Sequence, residues 1–337
     1  MKKRRSWLWL LKAGALVLLG VLAISPGAPA AESRQPFAEW IAGFRADART
    51  AGIRDATLDR ALAGVEPIPR VIELDRRQPE FTLTFREYMD RVVPPARVEK
   101  GRQRLAEHRA LLDQISAKYG VQARFLVAFW GIETDFGRQT GGFPVIAALA
   151  TLAYDGRRAA YFRKELIYAL EIIDKGHVTP EHMIGSWAGA MGQTQFMPSS
   201  FRSYAVDYDG DGRIDLWNSR PDVFASAANY LKRSGWKGDE TWGRAVKLPD
   251  GFDSKLIGIG VVKTLAEWSA LGLKRGDGGA LPSRALKASV VLAEADKGPA
   301  FLVYDNYRTI LKWNRSTFFA IAVGSLADRI GDGGSPR

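Results

Sequence analysis

Apolar residues recur at helical spacing from the start of the body of the chain: Phe37, Trp40, Ile41, Phe44 and Ala48, then Leu58 and Leu62, with Gly52 and Gly64 as stops. The pattern predicts a helical region over residues 37–63. Pro67, Pro69 and Pro79 predict a loop after it, and Pro94-Pro95 ends the segment that carries Phe81, Phe85, Tyr88 and Val92. One long amphipathic helix is expected next, because Leu105, Leu112, Ile115 and Tyr119 keep a 3.6-residue period up to a stop at Gly120. Residues 124–235 read as mostly helical with glycine-rich connections. Beyond Trp236 the pattern changes to short segments between Gly and Pro, with strands expected at 288–293 and 300–304, an exposed turn at 274–279 and a last helix over 316–330. The fold class is therefore α+β, mostly α. Its expected divisions are an N-terminal helical region (31–110), a core (111–240), a mixed C-terminal region with a closing helix (241–330) and a disordered tail (331–337).

One stretch of the core is apolar almost without interruption. Phe125-Leu126-Val127-Ala128-Phe129-Trp130-Gly131-Ile132-Glu133-Thr134-Asp135-Phe136-Gly137 predicts a helix that presents a carboxylate just before its terminating glycine. Among Phe129, Trp130 and Ile132, Glu133 would lose water from its charged form, and the helix C-terminus carries partial negative charge. Both effects favour a carboxyl that stays protonated near neutral pH, as a general acid must. The competing reading places Glu133 in a last turn with its head in solvent.

The chain has 337 residues, 46% of them hydrophobic, enough for a sizeable core. Its formal charge of +11 overstates the basicity of the folded part, because Lys2, Lys3, Arg4, Arg5 and Lys12 lie in a segment without acids and leave +6 for the rest. A moderate positive excess suits an anionic polymer. No basic run or nucleic-acid motif appears in the body, so nucleic acid is not an expected partner. Residues 1–30 have the parts of a secretory signal: the basic start, an apolar run from Ala13 to Ile24, and Ala28-Pro29-Ala30 before a cleavage site. An uncleaved anchor is the alternative, but Lys12 shortens the apolar run below the roughly 20 residues a spanning helix needs. Cysteine is absent, which excludes disulfides and a lipid-modified N-terminal cysteine. A periplasmic location follows as the expectation.

Two further segments carry chemistry. In Asp207-Tyr208-Asp209-Gly210-Asp211-Gly212-Arg213-Ile214-Asp215, carboxylates occupy positions one, three and five and glycine position six, as in an EF-hand calcium loop, and the Arg213 carbonyl would add an oxygen. Asn218 replaces the closing glutamate, so Asp222 is the candidate to complete the site. Calcium fits better than magnesium, which seldom uses a cage built wholly from protein ligands. Ser186-Trp187-Ala188-Gly189-Ala190-Met191-Gly192-Gln193-Thr194-Gln195-Phe196-Met197-Pro198-Ser199-Ser200 mixes small residues with amides, hydroxyls and aromatics, which suits a saccharide groove. Tyr230, Trp236, Trp242 and Trp313 could stack on sugar faces or serve as core. His108, His177 and His182 show no metal-ligand spacing and are assigned no chemistry.

Taken together, the Gly131–Gly137 segment, the Trp187–Ser200 segment and the acidic loop resemble the membrane-bound lytic murein transglycosylase B family over about residues 37–330. The resemblance implies a lysozyme-like core with a calcium loop, flanked by a helical domain and a small mixed domain. It implies peptidoglycan glycan strands as substrate, cut at the β-1,4 bond between N-acetylmuramic acid and N-acetylglucosamine, with 1,6-anhydro ends formed without water. Glu133 matches the family's catalytic acid and base, while Tyr88, Ser186, Gln195, Tyr230 and Asn314 match its groove. Trp313 stands where the family usually has tyrosine, so stacking can persist while a hydroxyl contact is lost. The implied calcium loop falls on the candidate ligands Asp207, Asp209, Asp211, Arg213 and Asp222, with a structural ion expected; Asp209 is an extra aspartate where some members carry a neutral residue. A soluble form is implied by the missing lipid-anchoring cysteine. The alternatives are a hydrolytic muramidase and a non-catalytic peptidoglycan-binding scaffold. Cell-wall remodelling proteins are possible partners, and a monomer is the default.

Overall fold

The computed structural model describes residues 35–76, 83–294 and 297–331. The predicted signal (1–30), the positions Pro79 and Phe81, and all but the first residue of the predicted tail lie outside these. The chain opens with α1 (Phe37–Thr50), α2 (Asp55–Ala61) and α3 (Pro69–Arg76). Gly52 and Gly64 adopt positive φ after the first two, as the stops required. The predicted loop is in part a helix: Pro69 is the first residue of α3, where its missing N–H costs nothing and its fixed φ suits the turn.

Next come α4 (Phe85–Val92), α5 (Pro95–Glu107) and α6 (Arg109–Tyr119). A capping box between Thr84 and Glu87 starts α4. The single helix expected up to Gly120 is two, because His108 (φ −104°, ψ 18°) departs from helical geometry between α5 and α6. Gly120, in the left-handed region at φ 71°, does end α6.

Helix α7 (Ala123–Thr134) is buried at every position from Phe125 to Thr134. It does not run to Gly137. Asp135 (φ 50°) and Phe136 (φ 61°) turn the chain left-handed, with their N–H groups returned to the Gly131 and Trp130 carbonyls at 3.0 and 3.2 Å. Gly131 permits this, since a Cβ there would meet the Phe136 ring at 2.8 Å.

Strand β1 (Phe143–Pro144) leads into α8 (Val145–Asp155) and α9 (Ala159–Asp174), and β2 (Ile184–Gly185) pairs with β1 antiparallel. The glycine-rich segment follows β2 as a compact hairpin, tied by Ser186 N–H to Ala190 O (2.8 Å) and by the mutual pair of Met191 and Phe196. Then come α10 (Pro198–Tyr204), the acidic loop, and α11 (Arg220–Arg233).

The C-terminal part contains β3 (Gly243–Lys247), β4 (Lys263–Thr264), α12 (Leu265–Ala270), β5 (Lys274–Arg275), β6 (Lys287–Glu294), β7 (Lys297–Val303), α13 (Asp305–Trp313) and α14 (Thr317–Gly331). The strands form an antiparallel sheet in the order β4-β6-β7-β3-β5. The two predicted strands are its centre; β3, β4 and β5 are too short to show a period.

Three apolar clusters hold the chain. One joins α1–α3 to α8–α10 and the hairpin, a second joins α4–α7 to α11, α13 and α14, and a third lies under the sheet around Trp268. Helix α14 packs against α7, α5 and α4. Trp236 and Trp242 belong to the second cluster and are core, not sugar platforms.

Candidate active site

Glu133 occupies the next-to-last position of α7 and is only 6% exposed. The last turn therefore holds its carboxyl inside the protein, not in bulk solvent. The indole N–H of Trp313, at the end of α13, donates to Glu133 Oε1 at 3.0 Å. Trp313 is itself packed among Phe129, Phe196 and Tyr230, with ring centroids 4.5, 5.2 and 4.7 Å away. An aromatic wall drawn from α7, the hairpin, α11 and α13 thus converges on one carboxyl.

Asp135, two residues on, belongs to another environment. Its carboxylate faces Arg97 (3.7 Å), Lys100 (3.5 Å) and Arg138. Burial lowers the pKa of Arg97, and the adjacent Asp135 opposes that shift. Nothing in this arrangement makes Asp135 a partner of Glu133.

The other residues predicted for the groove are placed as follows. Tyr230 stands beside Trp313 and gives its hydroxyl to the Lys312 carbonyl at 2.7 Å; burial pushes its pKa up to about 12, so it remains a neutral donor. Asn314 follows Trp313 directly, and its Oδ1 accepts the Ser316 N–H at the entry to α14. Gln195, held at φ 50°, donates its amide to the Thr140 and Gly192 carbonyls, both at 3.0 Å. Ser186 is buried and accepts the Ala190 N–H (3.0 Å), so its hydroxyl shapes the hairpin. Tyr88 packs at 5.4 Å on Phe318 of α14.

One residue that sequence reasoning passed over links these parts. Gln193 is 2% exposed. Its Oε1 accepts the Trp130 indole N–H at 2.7 Å, its Nε2 donates to the Trp217 carbonyl, and its own carbonyl accepts from the Thr134 hydroxyl at 2.9 Å. No spacing rule distinguishes Gln193 from Gln195; only the turn of the hairpin decides which amide faces inward.

The acidic loop gathers oxygens of Asp207, Asp209 and Asp211 within 4.8 Å of one another on the surface. Asp207 is braced by the N–H groups of Gly210 and Gly212 at 2.7 and 2.9 Å, Asp211 by that of Arg213 at 2.8 Å, and Asp209 accepts from the Ser219 hydroxyl at 2.8 Å. Three hard anionic donors held this close repel one another, and a divalent cation of calcium's kind suits the set. Asp222 is not in that cluster. It is 1% exposed and accepts the Tyr208 and Asp215 N–H groups at 2.7 and 2.8 Å, fastening the two arms of the loop; burial raises its pKa and these bonds oppose the rise. Asn218 turns back on Asp215. His177, unassigned from sequence, accepts the Ile214 N–H through Nδ1 at 3.1 Å.

A family model described as a transglycosylase SLT domain matches residues 36–328. The chain belongs to this family of lytic transglycosylases. Within it, membrane-bound lytic murein transglycosylase B of Escherichia coli is 35% identical over 254 residues, a match that covers 72% of this chain and 66% of that protein, just under two thirds of its length. SltB3 of Pseudomonas aeruginosa, solved with NAG-NAM-pentapeptide and with NAG-anhNAM-pentapeptide, is 48% identical with a TM-score of 0.86, covering 90% of this chain and 81% of that one. Slt35 of Escherichia coli, solved in complex with calcium, is 29% identical with a TM-score of 0.74, covering 88% and 93%. The mostly helical architecture with a small sheet is the one these transglycosylases share.

Proposed function

We propose that the protein is a peptidoglycan lytic transglycosylase that cleaves the β-1,4 bond between N-acetylmuramic acid and N-acetylglucosamine. The observation that carries this reading is the buried carboxyl of Glu133, held by Trp313 in an aromatic wall, while the nearest acid in sequence is engaged by three cations. A usual glycoside hydrolase works with two carboxyl groups across the scissile bond. One carboxyl can serve when the attacking oxygen belongs to the substrate. Protonated Glu133 gives its proton to the glycosidic oxygen as the bond to the anomeric carbon breaks. The resulting carboxylate then takes the proton of the muramic 6-hydroxyl as that oxygen bonds to the same carbon. The proton balance closes, no water is added, and a 1,6-anhydro end is formed. Tyr230, Trp313, Asn314, Gln195, Ser186 and Tyr88 are read as the groove that aligns the strand for this transfer.

Calcium is read as a structural ion held by Asp207, Asp209 and Asp211 with the Arg213 carbonyl, while Asp222 fastens the two arms of the loop from inside. The ion supplies charge compensation to the loop and no chemistry. Among the described residues no helix is long and apolar enough to cross a membrane; the periplasmic reading rests on the secretory pattern of residues 1–30.

The test is turnover of purified peptidoglycan by the wild type and by Glu133→Gln. Loss of a general acid-base group costs about 10²–10⁴ in rate, so the variant should release soluble fragments at least a hundredfold more slowly with its fold intact. Equal turnover would remove Glu133 from the mechanism, and binding without turnover by the wild type would favour a scaffold.

A further inference from the structure

Between the acidic loop and the end of α7 lies one buried amide that the proposed mechanism does not use. Gln193 is closed off from solvent, so it touches no substrate. Its orientation is unambiguous: an indole N–H can only donate and a backbone carbonyl can only accept, so the amide oxygen must face Trp130 and the nitrogen must face Trp217. Trp130 lies one helical turn before Glu133. Its indole is boxed edge-on by Phe136 and Phe224, with ring centroids at 5.5 and 5.1 Å, and the Arg220 guanidinium lies over it at 5.2 Å.

The backbone of Gln193 grips the same two regions. Its N–H donates to the Leu216 carbonyl at 2.7 Å, and its carbonyl accepts from Thr134, the residue after Glu133. The Thr134 hydroxyl in turn accepts the Gly137 N–H at 3.1 Å, fixing the left-handed exit of the helix. Gly137 must be glycine for the amide to fit, because it lies at φ 81° and a Cβ there would overlap Gln193 Oε1. Leu216 and Trp217 close the acidic loop, so the same residue holds the loop exit and both sides of Glu133.

We infer that Gln193 is a positioning residue for the transfer reaction: it clamps the last turn of α7 to the exit of the acidic loop and thereby sets where the Glu133 carboxyl stands in the groove. The inference rests on Glu133 being the acid. Displacing a reacting group by about 1 Å costs on the order of 10²-fold, whereas the groove itself is built by other side chains. A residue that sets the position of the acid should therefore act on kcat and leave KM alone.

The test uses the full chain with Gln193→Met, which keeps length and apolar volume but neither hydrogen bond. With near-ultraviolet circular dichroism unchanged, kcat on soluble glycan strands should fall about ten- to a hundredfold while KM changes by less than about twofold. A folded variant with wild-type kcat, or one altered only in melting temperature, overturns the inference. If the variant does not fold, the wild type decides: the Trp130 indole proton, assigned with Trp130→Phe, should exchange with solvent far more slowly than an exposed indole, and rapid exchange overturns the clamp. Full turnover by Glu133→Gln would overturn the acid assignment and the inference with it. An inactive Glu133→Gln beside a fully active Gln193→Met overturns the inference alone.

Discussion

A donor-only side chain beside a carboxyl limits where that carboxyl can keep its proton. Trp313 presents its N–H to Glu133 Oε1, so that oxygen acts as acceptor whichever protonation state the group is in. A donor there stabilises the carboxylate more than the acid. Trp313→Phe removes the donor and keeps the ring packing against Phe129 and Tyr230. The alkaline limb of its kcat/KM profile should move to higher pH, and an unmoved limb would mean the indole does not act on Glu133. At this scale much of the site was legible. A lone acid in an apolar run is costly, and Glu133 proved buried as the run implied. Gln193 was not legible, because two glutamines two residues apart look alike until the hairpin turns one inward.

At the scale of the element, the acidic loop brings three carboxylates together on the surface. Under the proposed structural role, the three clustered carboxylates hold calcium only in the folded arrangement, so calcium at a hundred times its dissociation constant should add about 2.7 kcal/mol of stability. A calcium titration followed by thermal melting checks this, and Asp207→Asn should abolish the shift. Activity lost on chelation with no change in melting would contradict the structural role. The loop also rests on His177, which must be unprotonated at Nδ1 to accept the Ile214 N–H. Burial lowers its pKa, helped by Lys175 and Arg213 and opposed by Asp207. The folded value thus lies below the unfolded one of about 6.5, so the unfolded chain binds the extra proton first. The stabilisation is complete above about pH 6.5 and is lost as pH falls toward the folded value. His177→Gln should show a shallower fall in melting temperature on acidification than the wild type; equal slopes would exclude His177 as the source. Element boundaries were legible where a glycine or a period marked them, as at Gly120. They were missed where a residue of ordinary propensity makes the turn, as at His108, or where proline begins a helix, as at Pro69.

At the scale of the molecule, the site exists because distant segments close on α7. Trp313 comes from α13 and Phe196 from the hairpin, while α14 supports α7 from behind, approaching the sheet region so closely that a Cβ on Gly324 would overlap Trp242. Periodicity reveals the faces of such helices but not their partners, which is why the bond from Trp313 to Glu133 could not be read from the sequence. The proposed reaction uses one carboxyl and no water. Its most direct test is mass spectrometry of the fragments released from purified peptidoglycan in ¹⁸O-enriched water. Anhydromuramyl ends free of ¹⁸O are expected; reducing ends carrying one ¹⁸O per cut would show that water attacks and would contradict the account.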